Sequence, residues 1–443
     1  MCADCRPHMQ KLLRRIEMTP QIIITLCIIA FMVIMLLTHK IAYGMTAMIC
    51  CTLFVLTGVA DLKTAFSGFS SSTTIMVATM IVVATQLSRT SVIHKMRGVL
   101  ESMQGKQEIV IMLTMFAVTV VLSQFMGQVA CLSIMLLFVQ TLDEDSNLSP
   151  ARMLFAVCTL NTIWTSKVPV AMGAIMPGTI NSFFEGVAPE YAIGIADYFR
   201  AAAIPGLVGF IYCIVAFRLI PKQTMKKENV KEVKEQQAIS KRDEYIIFGV
   251  FIAIMAAFFL SDFVSKDIQN VMPVAGVLVL LLTGVLDLQS CLKTITSDIV
   301  LLIAGMSAVS TVLGNTGVGE LIGETVLKIL GGHPAPIFVV AVFCIVTAVM
   351  TNFLSNMGTM ALMIPIAAST ALAGGFNVQT VVLVTAVSAW MAFVMPTGCS
   401  GSMIAFGIGN FSAAQTLKFT VPLFILEVVS LIISTTLFFP IYA

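Results

Sequence analysis

The chain has 443 residues, of which 58% are hydrophobic and only 11% are charged. This composition is typical of a membrane protein with several spans and argues against a water-soluble globular class. The formal net charge of +2 has no bearing on nucleic acid, because the charged residues lie in loops between the apolar runs. Membrane lipid is the expected partner, and nucleic acid is not. The eleven cysteines are scattered through apolar segments, which is typical of small buried hydrophobes rather than of a disulfide framework.

The first half of the chain is predicted to contain five membrane spans and one interrupted hairpin. A polar N-terminal segment, 1–20, comes first. No Ala-x-Ala cleavage site follows the next apolar run, so we expect this run to remain as a span. The predicted spans are 21–38, 44–59, 73–88, 152–184 and 201–220. Between the third and fourth spans, 89–107 has the mixed charged and apolar composition of an interfacial helix.

Two features interrupt the apolar runs of this half. The runs 108–125 and 131–142 are separated by the short segment 126–130, which predicts a hairpin. The span 152–184 is broken near 166–169, where a lysine and a proline fall among apolar residues. Irregular backbone at membrane depth is tolerated only where it is buried in protein or lines a water-filled cavity, so both features indicate a buried site.

The segment 221–244 is dense in Lys and Glu and divides the chain into two predicted transmembrane repeats, 21–220 and 245–443. It is expected to be a solvated linker, and its excess of Lys and Arg places it in the cytoplasm by the positive-inside rule. The second repeat follows the pattern of the first, with a hairpin before its broken span. Its predicted spans are 245–260, 271–286, 298–313, 379–410 and 419–439.

Matching residues support the internal repeat. The segment 56–62, Leu-Thr-Gly-Val-Ala-Asp-Leu, agrees at six of seven positions with 282–288, Leu-Thr-Gly-Val-Leu-Asp-Leu. With two more residues of offset, 127–128 falls on 355–356. An odd number of spans in each copy requires the copies to be inverted. The predicted fold is therefore an all-α membrane protein of two inverted repeats, each with five spans, a re-entrant hairpin and a broken helix, with the linker inside and both chain termini outside.

The hairpin of the second half carries the most informative stretch, Thr-Asn-Phe-Leu-Ser-Asn-Met-Gly-Thr at 351–359. Apolar runs flank it at 336–350 and 360–372, and each is shorter than the ~20 residues that span a bilayer. Its Ser-Asn pair offers a hydroxyl, an amide and backbone carbonyls to a cation, and helix N-termini to an anion. The alternative is a polar turn between two ordinary spans, as in a channel or a structural bundle.

The tip continues through Ala-Leu-Met-Ile to a proline at 365, and a second motif, Met-Pro-Thr-Gly-Cys-Ser-Gly-Ser-Met-Ile, follows at 395–404. The first resembles the Ser-Asn-Thr hairpin signature of the divalent anion:sodium symporter family, solute carrier family 13 of the ion transporter superfamily. The second is similar to that family's Leu-Pro-Val-Gly-Thr-Pro-Pro-Asn-Ala-Ile. The resemblance implies that the two tips and the two broken spans bind sodium and substrate carboxylates. It also implies a homodimer in the plasma (inner) membrane.

Carried over residue by residue, the resemblance implies an anion site and a cation site. The candidate substrate-binding residues are Ser355, Asn356, Thr397, Gly398, Cys399, Ser400 and Ser402 in the second half and Gly127 and Gln128 in the first. The candidate sodium ligands are Ser355, Asn356, Met357 and Gly398; no other cofactor and no catalytic residue is expected. Met357 stands where the family has Thr, and because a thioether is a poor ligand for a hard cation, its backbone carbonyl is the group expected to serve. Gly127-Gln128-Val129 replaces Ser-Asn-Thr in the first half, which offers no comparable side chains for sodium.

Lys167 lies midway along the broken span 152–184. Because a lysine at membrane depth is costly, its default interpretation is functional, and it is a further candidate substrate-binding residue. A fixed ammonium in the site would supply the positive charge of a missing sodium ion, which predicts an anion exchanger. Three alternatives stay open: Lys167 extends to an interface, it pairs with an acid elsewhere and only stabilises the fold, or it couples transport to protons. Glu427, in the last span, is interpreted as a structural or proton-linked acid.

The sequence therefore predicts a secondary active transporter of small divalent anions, above all dicarboxylates, working by alternating access and as an exchanger rather than a strict sodium symporter. The alternatives within transport are a sodium-coupled transporter of sulfate, citrate or arsenite, a sodium/proton antiporter and, less favoured, an anion channel. An enzyme is not expected, because the four scattered histidines form no His-Glu-x-x-His metal site.

Overall fold

The computed structural model describes residues 19–38, 40–102, 107–144, 146–226, 239–260 and 263–442. Nearly all of the predicted N-terminal segment 1–20 and half of the linker 221–244 lie outside the described residues. Within the described ranges the chain forms twenty α-helices, three short 3-10 turns and no strand, apart from one isolated β-bridge between Phe376 and Tyr442. The predicted all-α class is confirmed.

The described helices fall into two series of ten. The first series is α1 (Pro20–Thr38), α2 (Tyr43–Leu56), α3 (Leu62–Ala65), α4 (Ser72–Leu87), α5 (Ser91–Glu101), α6 (Glu108–Phe125), α7 (Gln128–Val139), α8 (Pro150–Trp164), α9 (Met176–Phe184) and α10 (Ile195–Val215). The second series is α11 (Lys241–Phe259), α12 (Lys266–Leu282), α13 (Leu288–Ile295), α14 (Asp298–Thr316), α15 (Val318–Ile329), α16 (Pro336–Met350), α17 (Asn356–Gly374), α18 (Val378–Ser388), α19 (Ser400–Ile408) and α20 (Ala413–Phe438). Each helix of the first series has its counterpart ten helices later.

The repeated segments 56–62 and 282–288 fold into the same turn. Gly58 and Gly284 both adopt a left-handed backbone, with φ of 71° and 75°, which a glycine reaches without steric cost. Asp61 then caps α3 by accepting a hydrogen bond from Thr64 N, as Asp287 caps α13. These hydrogen bonds lower the pKa of both exposed carboxyl groups. The sequence match therefore marks a repeated structural unit.

Both predicted broken spans are broken in the structure. In the first, α8 ends at Trp164, a 3-10 turn occupies Ala171–Ala174, and α9 begins at Met176. In the second, an irregular segment separates α18 from α19. The backbone of the first break is tight, because a Cβ on Gly173 would lie 1.7 Å from the Val168 carbonyl oxygen. The breaks carry no regular helical hydrogen bonds and so present backbone groups to their surroundings.

Both hairpins are present, but the second arm of each begins before the predicted residue; in the first hairpin α7 begins at Gln128 rather than at 131. The predicted second arm, 360–372, is a short run, whereas α17 begins at Asn356 and has 19 residues. The helix starts earlier because the Ser355 side chain accepts a hydrogen bond from Gly358 N and so caps it directly after the tip. α17 is long and apolar enough to cross a membrane by itself. This hairpin therefore pairs a short helix, α16, with one of spanning length.

The two halves pack against each other reciprocally. Helix α2 contacts α14 and its counterpart α12 contacts α4, while α7 contacts α19 and its counterpart α17 contacts α9. The last helices of the two halves, α10 and α20, contact each other directly. This exchange of equivalent contacts is what an approximate two-fold relation between the copies produces. The orientation of each copy across a membrane, and hence the inversion, stays a prediction.

Six described helices are long and apolar enough to cross a membrane: α1, α6, α10, α14, α17 and α20. The contacts divide the spans into two groups. Helices α1–α4 and α11–α14, here called the scaffold, pack among themselves, and helices α6–α10 and α16–α20, here called the hairpin bundle, contain both hairpins and both breaks. The groups meet chiefly where α9 packs against α4 and α14. Helix α11 begins at Lys241, inside the predicted linker 221–244.

Candidate substrate site between the hairpin tips

A cavity of about 680 Å³ lies where the two hairpin tips and the two breaks meet. This volume is within the range of known small-molecule sites. The lining residues are Tyr43, Ile81, Gly127, Gln128, Val129, Ala130, Thr165, Ser166, Met172, Ile175, Met176, Thr179, Asp298, Ile299, Leu302, Ser355, Asn356, Met357, Trp390, Cys399 and Ser400. Equivalent parts of both halves thus contribute to one chamber.

Four helix N-termini reach the largely apolar wall of this cavity. The first residues of α7, α9, α17 and α19, namely Gln128, Met176, Asn356 and Ser400, all line it. The first backbone N–H groups of a helix have no partner inside the helix, and the helix dipole places partial positive charge at that end. Four such ends around one chamber make it favourable for an anion.

Side-chain charge contributes little that would attract an anion. None of the lining residues, all of which lie in the described ranges, is a lysine or an arginine. The one acid among them, Asp298, is exposed, and its Oδ1 accepts a hydrogen bond from Gly44 N at 2.9 Å. The positive potential of the cavity therefore comes from backbone groups unless a cation accompanies the anion.

The second tip brings polar side chains to the cavity. Ser355 caps α17 through its hydroxyl oxygen, 3.1 Å from Gly358 N, and is hydrogen-bonded to Tyr43. The amide oxygen of Asn356 accepts a hydrogen bond from the Thr351 hydroxyl at 3.1 Å. Both residues have further polar atoms that can form hydrogen bonds with a ligand, so this tip can bind the oxygen atoms of a substrate.

The first tip presents fewer side-chain groups. Gly127 caps α7 without a side chain, and its neighbour Gln128 lines the cavity beside it. The Nε2 atom of Gln128 is buried and has no hydrogen-bond partner among the described residues. A buried donor without a partner is costly, but its burial keeps this atom away from the cavity surface in the state described.

An amide side chain just before each tip connects the hairpin to the adjacent break. Gln124 donates to the Trp164 carbonyl at 2.8 Å and accepts from Val168 N at 3.0 Å. Asn352 donates to the Met391 carbonyl at 3.0 Å and accepts from two backbone N–H groups, those of Val394 at 2.9 Å and Met395 at 3.2 Å. These amide clamps, Gln124 and Asn352, satisfy backbone groups that the breaks leave unpaired.

At the offset that matches the two tips, Gln124 also corresponds to Asn352, but the sequence indicates no role for either residue. Their signal was a polar amide at the same place in two otherwise apolar runs, directly before each tip. Burial of both side chains, at 5% and 3% exposure, confirms that they act inside the bundle.

Three candidate residues of the second break lie against the hairpin rather than on the cavity. The Thr397 hydroxyl donates to the Asn352 carbonyl at 2.8 Å, and the Ser402 hydroxyl donates to the Ala392 carbonyl. A Cβ on Gly398 would lie 3.2 Å from the Asn352 Cα atom, so the backbones approach closely there. These three residues position the break in this structure.

Cys399 and Ser400 do line the cavity. Ser400 is exposed to it, whereas the Cys399 thiol is largely covered and contacts the Thr162 hydroxyl at 3.5 Å and the Ser402 hydroxyl at 3.4 Å. Among the candidates of the second half, the cavity is therefore lined by Ser355, Asn356, Met357, Cys399 and Ser400.

Lys167 occupies a different place from the one that the exchanger interpretation requires. Its side chain is 4% exposed and does not line the cavity. Its Nζ atom donates to the Tyr198 hydroxyl at 2.8 Å and lies 4.9 Å and 5.4 Å from the ring centres of Tyr198 and Trp390. Lys167 and Glu427 line a separate cavity of about 10 Å³. This position matches the alternative in which the lysine faces an acid of the bundle.

A family model described as citrate transporter (CitMHS) matches residues 30–398. The chain belongs to the citrate transporter family. Its fold is similar to that of the Alcanivorax borkumensis YdaH transporter, with a TM-score of 0.59 at 10% identity over 86% of this chain and 87% of that one. It is also similar to Neisseria gonorrhoeae MtrF, with a TM-score of 0.57 at 14% identity over 88% of this chain and 85% of that one.

Several sequence relatives of this family member are named as transporters. An uncharacterized transporter of Haemophilus influenzae is 21% identical, covering 93% of this chain and 90% of the relative. The chloroplastic dicarboxylate transporter 1 of Arabidopsis thaliana is 25% identical over 40% of this chain and 33% of its own length. The sodium-dependent high-affinity dicarboxylate transporter 3 of Caenorhabditis elegans is 29% identical over 28% of this chain and 22% of its own length.

The match to other relatives is partial. It covers 33% of the Escherichia coli transporter YfbS and 50% of the Methanocaldococcus jannaschii transporter MJ0672. The predicted resemblance to anion transporters is nevertheless confirmed by the family match and by the dicarboxylate transporters among the relatives. The chain is a multi-pass integral membrane protein that belongs to a transporter family.

Proposed function

We propose that this protein is a secondary active transporter of small anions with two or three carboxylate groups, which it binds in the cavity between the two hairpin tips. The observation that carries the proposal is the convergence of four helix N-termini on one chamber. Carboxylate oxygens accept hydrogen bonds from such backbone groups and interact favourably with the positive ends of the helix dipoles. The relatives named as dicarboxylate transporters support this substrate class.

Alternating access requires the hairpin bundle to move relative to the scaffold. Glycines allow the backbones of the two groups to approach closely where Gly186, after α9, meets α14. A Cβ on Gly186 would lie 2.1 Å from Thr311 N, and one on Gly314 would lie 2.1 Å from the Gly186 carbonyl oxygen. Few side chains interlock at such a contact, which favours sliding over repacking. At the same contact, Glu185 accepts hydrogen bonds from the hydroxyls of Ser71 and Thr73, and these bonds stabilise the present arrangement of the hairpin bundle on the scaffold.

Net symport fits the geometry better than obligatory exchange. The exchanger hypothesis needed the Lys167 ammonium to replace a bound sodium ion beside the substrate. Because Lys167 does not line the cavity, the anion's charge has no fixed side-chain partner there. A transported cation is the simplest source of compensating charge.

Sodium is one candidate for that cation, and oxygen donors near the second tip favour it. Besides Ser355 and Asn356, the hydroxyls of Thr347 and Thr359 are buried and have no partner among the described residues. Thr359 lies about one helical turn after Asn356 on α17, and Thr347 lies in the last turn of α16, before the tip. Hydroxyl and carbonyl oxygens suit a hard cation, so Met357 would contribute only its backbone carbonyl. Gly398, beside Asn352, would likewise offer only backbone.

The proposal is tested by uptake into proteoliposomes. Purified protein is reconstituted, and initial uptake of labelled succinate, malate, citrate and sulfate is measured while sodium, proton and counter-anion gradients are varied independently. We expect saturable uptake of at least one carboxylate, acceleration by unlabelled anion inside, and inhibition by the other carboxylates. Uptake of none of the four, or flux that neither saturates nor accelerates, would contradict a carrier of this class. The plasma-membrane location and the homodimer stay predictions.

A further inference from the structure

A buried pair of ionisable side chains lies behind the wall of the substrate cavity. Lys167 is 4% exposed and Glu427 is 3% exposed, and both face the small cavity between the first break, α10, α18 and α20. Lys167 and Glu427 both line this small cavity, but no ion-pair contact is recorded between them. The volume of about 10 Å³ between them is about that needed for one water molecule.

The two groups have unequal surroundings. The Lys167 ammonium has an acceptor in the Tyr198 hydroxyl and lies over two aromatic rings, which stabilise a cation. The Oε1 atom of Glu427 is buried and has no hydrogen-bond partner among the described residues. An unpartnered buried carboxylate oxygen is costly when ionised and much less so when protonated. These surroundings stabilise the charge of Lys167 and leave the Glu427 carboxylate poorly compensated, so Glu427 is the member of the pair that is expected to gain or lose a proton.

The net charge of this pair depends on how many protons it holds, and a positively charged pair would attract an anion. An ammonium with a carboxylate, or an amine with a carboxylic acid, is neutral overall. Addition of one proton to Glu427 of the first form gives an ammonium with a carboxylic acid, which has a net charge of +1. A buried charge of this kind needs a nearby counter-charge.

The substrate cavity is where that counter-charge would lie. Trp390 lines both cavities, and its ring lies 5.4 Å from Lys167 Nζ. Thr165 and Ser166, next to Lys167 in the chain, also line the substrate cavity. An anion there would be separated from the pair by about one aromatic side chain, within material of low dielectric constant, where charges interact strongly.

We propose that Lys167 and Glu427 form a proton-binding site that takes up one proton, on Glu427 Oε1, when an anion occupies the substrate cavity and releases it when the anion leaves. The site rests on the proposed function and supplies its coupling ion. Linkage is reciprocal, so acidification that favours the protonated pair tightens anion binding by the same factor by which the anion tightens proton binding. The anion and the proton then cross the membrane together.

Other titratable groups around the pair are few. Tyr198 on α10 contacts Lys167 directly, and Cys213 on α10 and Cys344 on α16 lie near enough to Glu427 to interact with it electrostatically. Helix α18 contributes Val387, and Trp390 and Met391 follow it in the second break; none of the three titrates. No other charged residue lines the small cavity, so the proton is assigned to the pair itself.

The test compares wild type with Glu427→Gln, which keeps the shape of the side chain and mimics its protonated form. Proteoliposomes are held at zero membrane potential, acid outside by one pH unit, and supplied with whichever labelled carboxylate wild type takes up. For one proton per anion we expect wild type to accumulate the anion up to about tenfold. Glu427→Gln should retain anion exchange but lose accumulation and pH dependence. Glu324→Gln, which removes an acid paired with Lys328 on α15, is the matched control and should behave as wild type.

A second measurement makes the test independent of how the variant folds. Addition of the carboxylate to purified wild type in weakly buffered solution should remove about one proton per bound anion from the medium, as reported by a pH indicator. Accumulation driven by sodium alone, no proton uptake on binding, or unaltered pH dependence in Glu427→Gln would overturn the proton site and leave the transporter proposal intact. Failure of wild type to take up any carboxylate would contradict both proposals.

Discussion

In the first hairpin the tip is a glycine and a glutamine, Gly127 and Gln128; in the second it is a serine and an asparagine, Ser355 and Asn356. Both pairs occupy the same place, at the start of the second hairpin helix and on the wall of one cavity. Behind each tip an amide side chain makes the same kind of connection to the adjacent break. The halves agree in how each tip is supported and differ in what it offers to a ligand.

This difference shows that supporting a hairpin tip and contacting the ligand are two separate roles, carried by different side chains. The amide clamps satisfy backbone groups in both breaks, a need that any broken helix inside a membrane protein has. The side chains that line the cavity are not needed to satisfy backbone groups of the breaks, so they could differ between the two halves. We therefore expect changes at the clamps to damage both halves similarly, and changes at the tips to affect the second half more.

The largest effects are expected at the clamps. Asn352→Ala removes the partners of Val394 N and the Met391 carbonyl, and each buried group left unpaired costs about 1–3 kcal/mol. Gln124→Ala should act similarly on Val168 N and the Trp164 carbonyl. Both variants should lose most uptake and unfold at lower temperature in detergent. Wild-type uptake and thermal stability in either one would refute the clamp.

Close backbone contacts at the breaks should give the next largest effects. A Cβ on Gly173 would lie 1.7 Å from a carbonyl oxygen, whereas one on Gly398 would lie 3.0 Å from its nearest neighbour atom. Gly173→Ala should therefore abolish uptake and Gly398→Ala should reduce it. Gly407→Ala is the control, because nothing lies within 4 Å of the added Cβ. Equal uptake in all three variants would show that the breaks tolerate movement.

A smaller and more selective effect is expected at the tips. Asn356→Ala should raise the apparent KM for a carboxylate about tenfold or more, since a hydrogen bond to a charged group contributes about 1.5–3 kcal/mol. Gln128→Ala should raise it only a few fold, because Gly127 leaves the first tip to act mainly through its backbone. Initial uptake rates across a range of anion concentrations measure both. Equal KM changes in the two variants would remove the asymmetry proposed for the tips.

The smallest effect concerns the equivalent caps Asp61 and Asp287. Their lowered pKa values mean that the ionised caps stabilise the fold above the unfolded pKa of about 4, and that this contribution is lost as pH falls through the lowered folded value. Asn caps a helix about as well as Asp. Asp61→Asn and Asp287→Asn should leave thermal stability unchanged at pH 7 and reduce its decline below pH 4. A decline identical to that of wild type would exclude the caps as its source.

The order of spans, hairpins and breaks could be predicted from the sequence because it depends on local signals. Apolar run length marked the helices, and the proline and polar residues at 166–169 marked a break. The repeated Leu-Thr-Gly-Val segment and the tip alignment fixed the register of the two copies. The start of α17 was placed too late, because a cap depends on one side-chain hydrogen bond, from Gly358 N to Ser355, rather than on hydropathy.

The directions of side chains at the breaks could not be predicted. Ser166 has a φ of 57°, and no helical or strand periodicity applies to such backbone. Lys167 was therefore assigned to the cavity from its depth alone, while its ammonium lies on the far side of Trp390. Thr397 and Ser402 match family positions in the sequence, yet their hydroxyls donate to backbone carbonyls of the second tip and break.

The central claim is that the chamber between the tips is the anion site and opens to one side of the membrane at a time. Cys399 lines this chamber, so a variant that retains only Cys399 of the eleven cysteines reports on it directly. A small thiol reagent should label it faster from one side of proteoliposomes, and saturating carboxylate should slow labelling by about tenfold or more. A matching variant with only Cys131, which is buried in α7 away from the cavity, should show no protection. Labelling of Cys399 that is unaffected by the anion, or absent from both sides, would contradict the account.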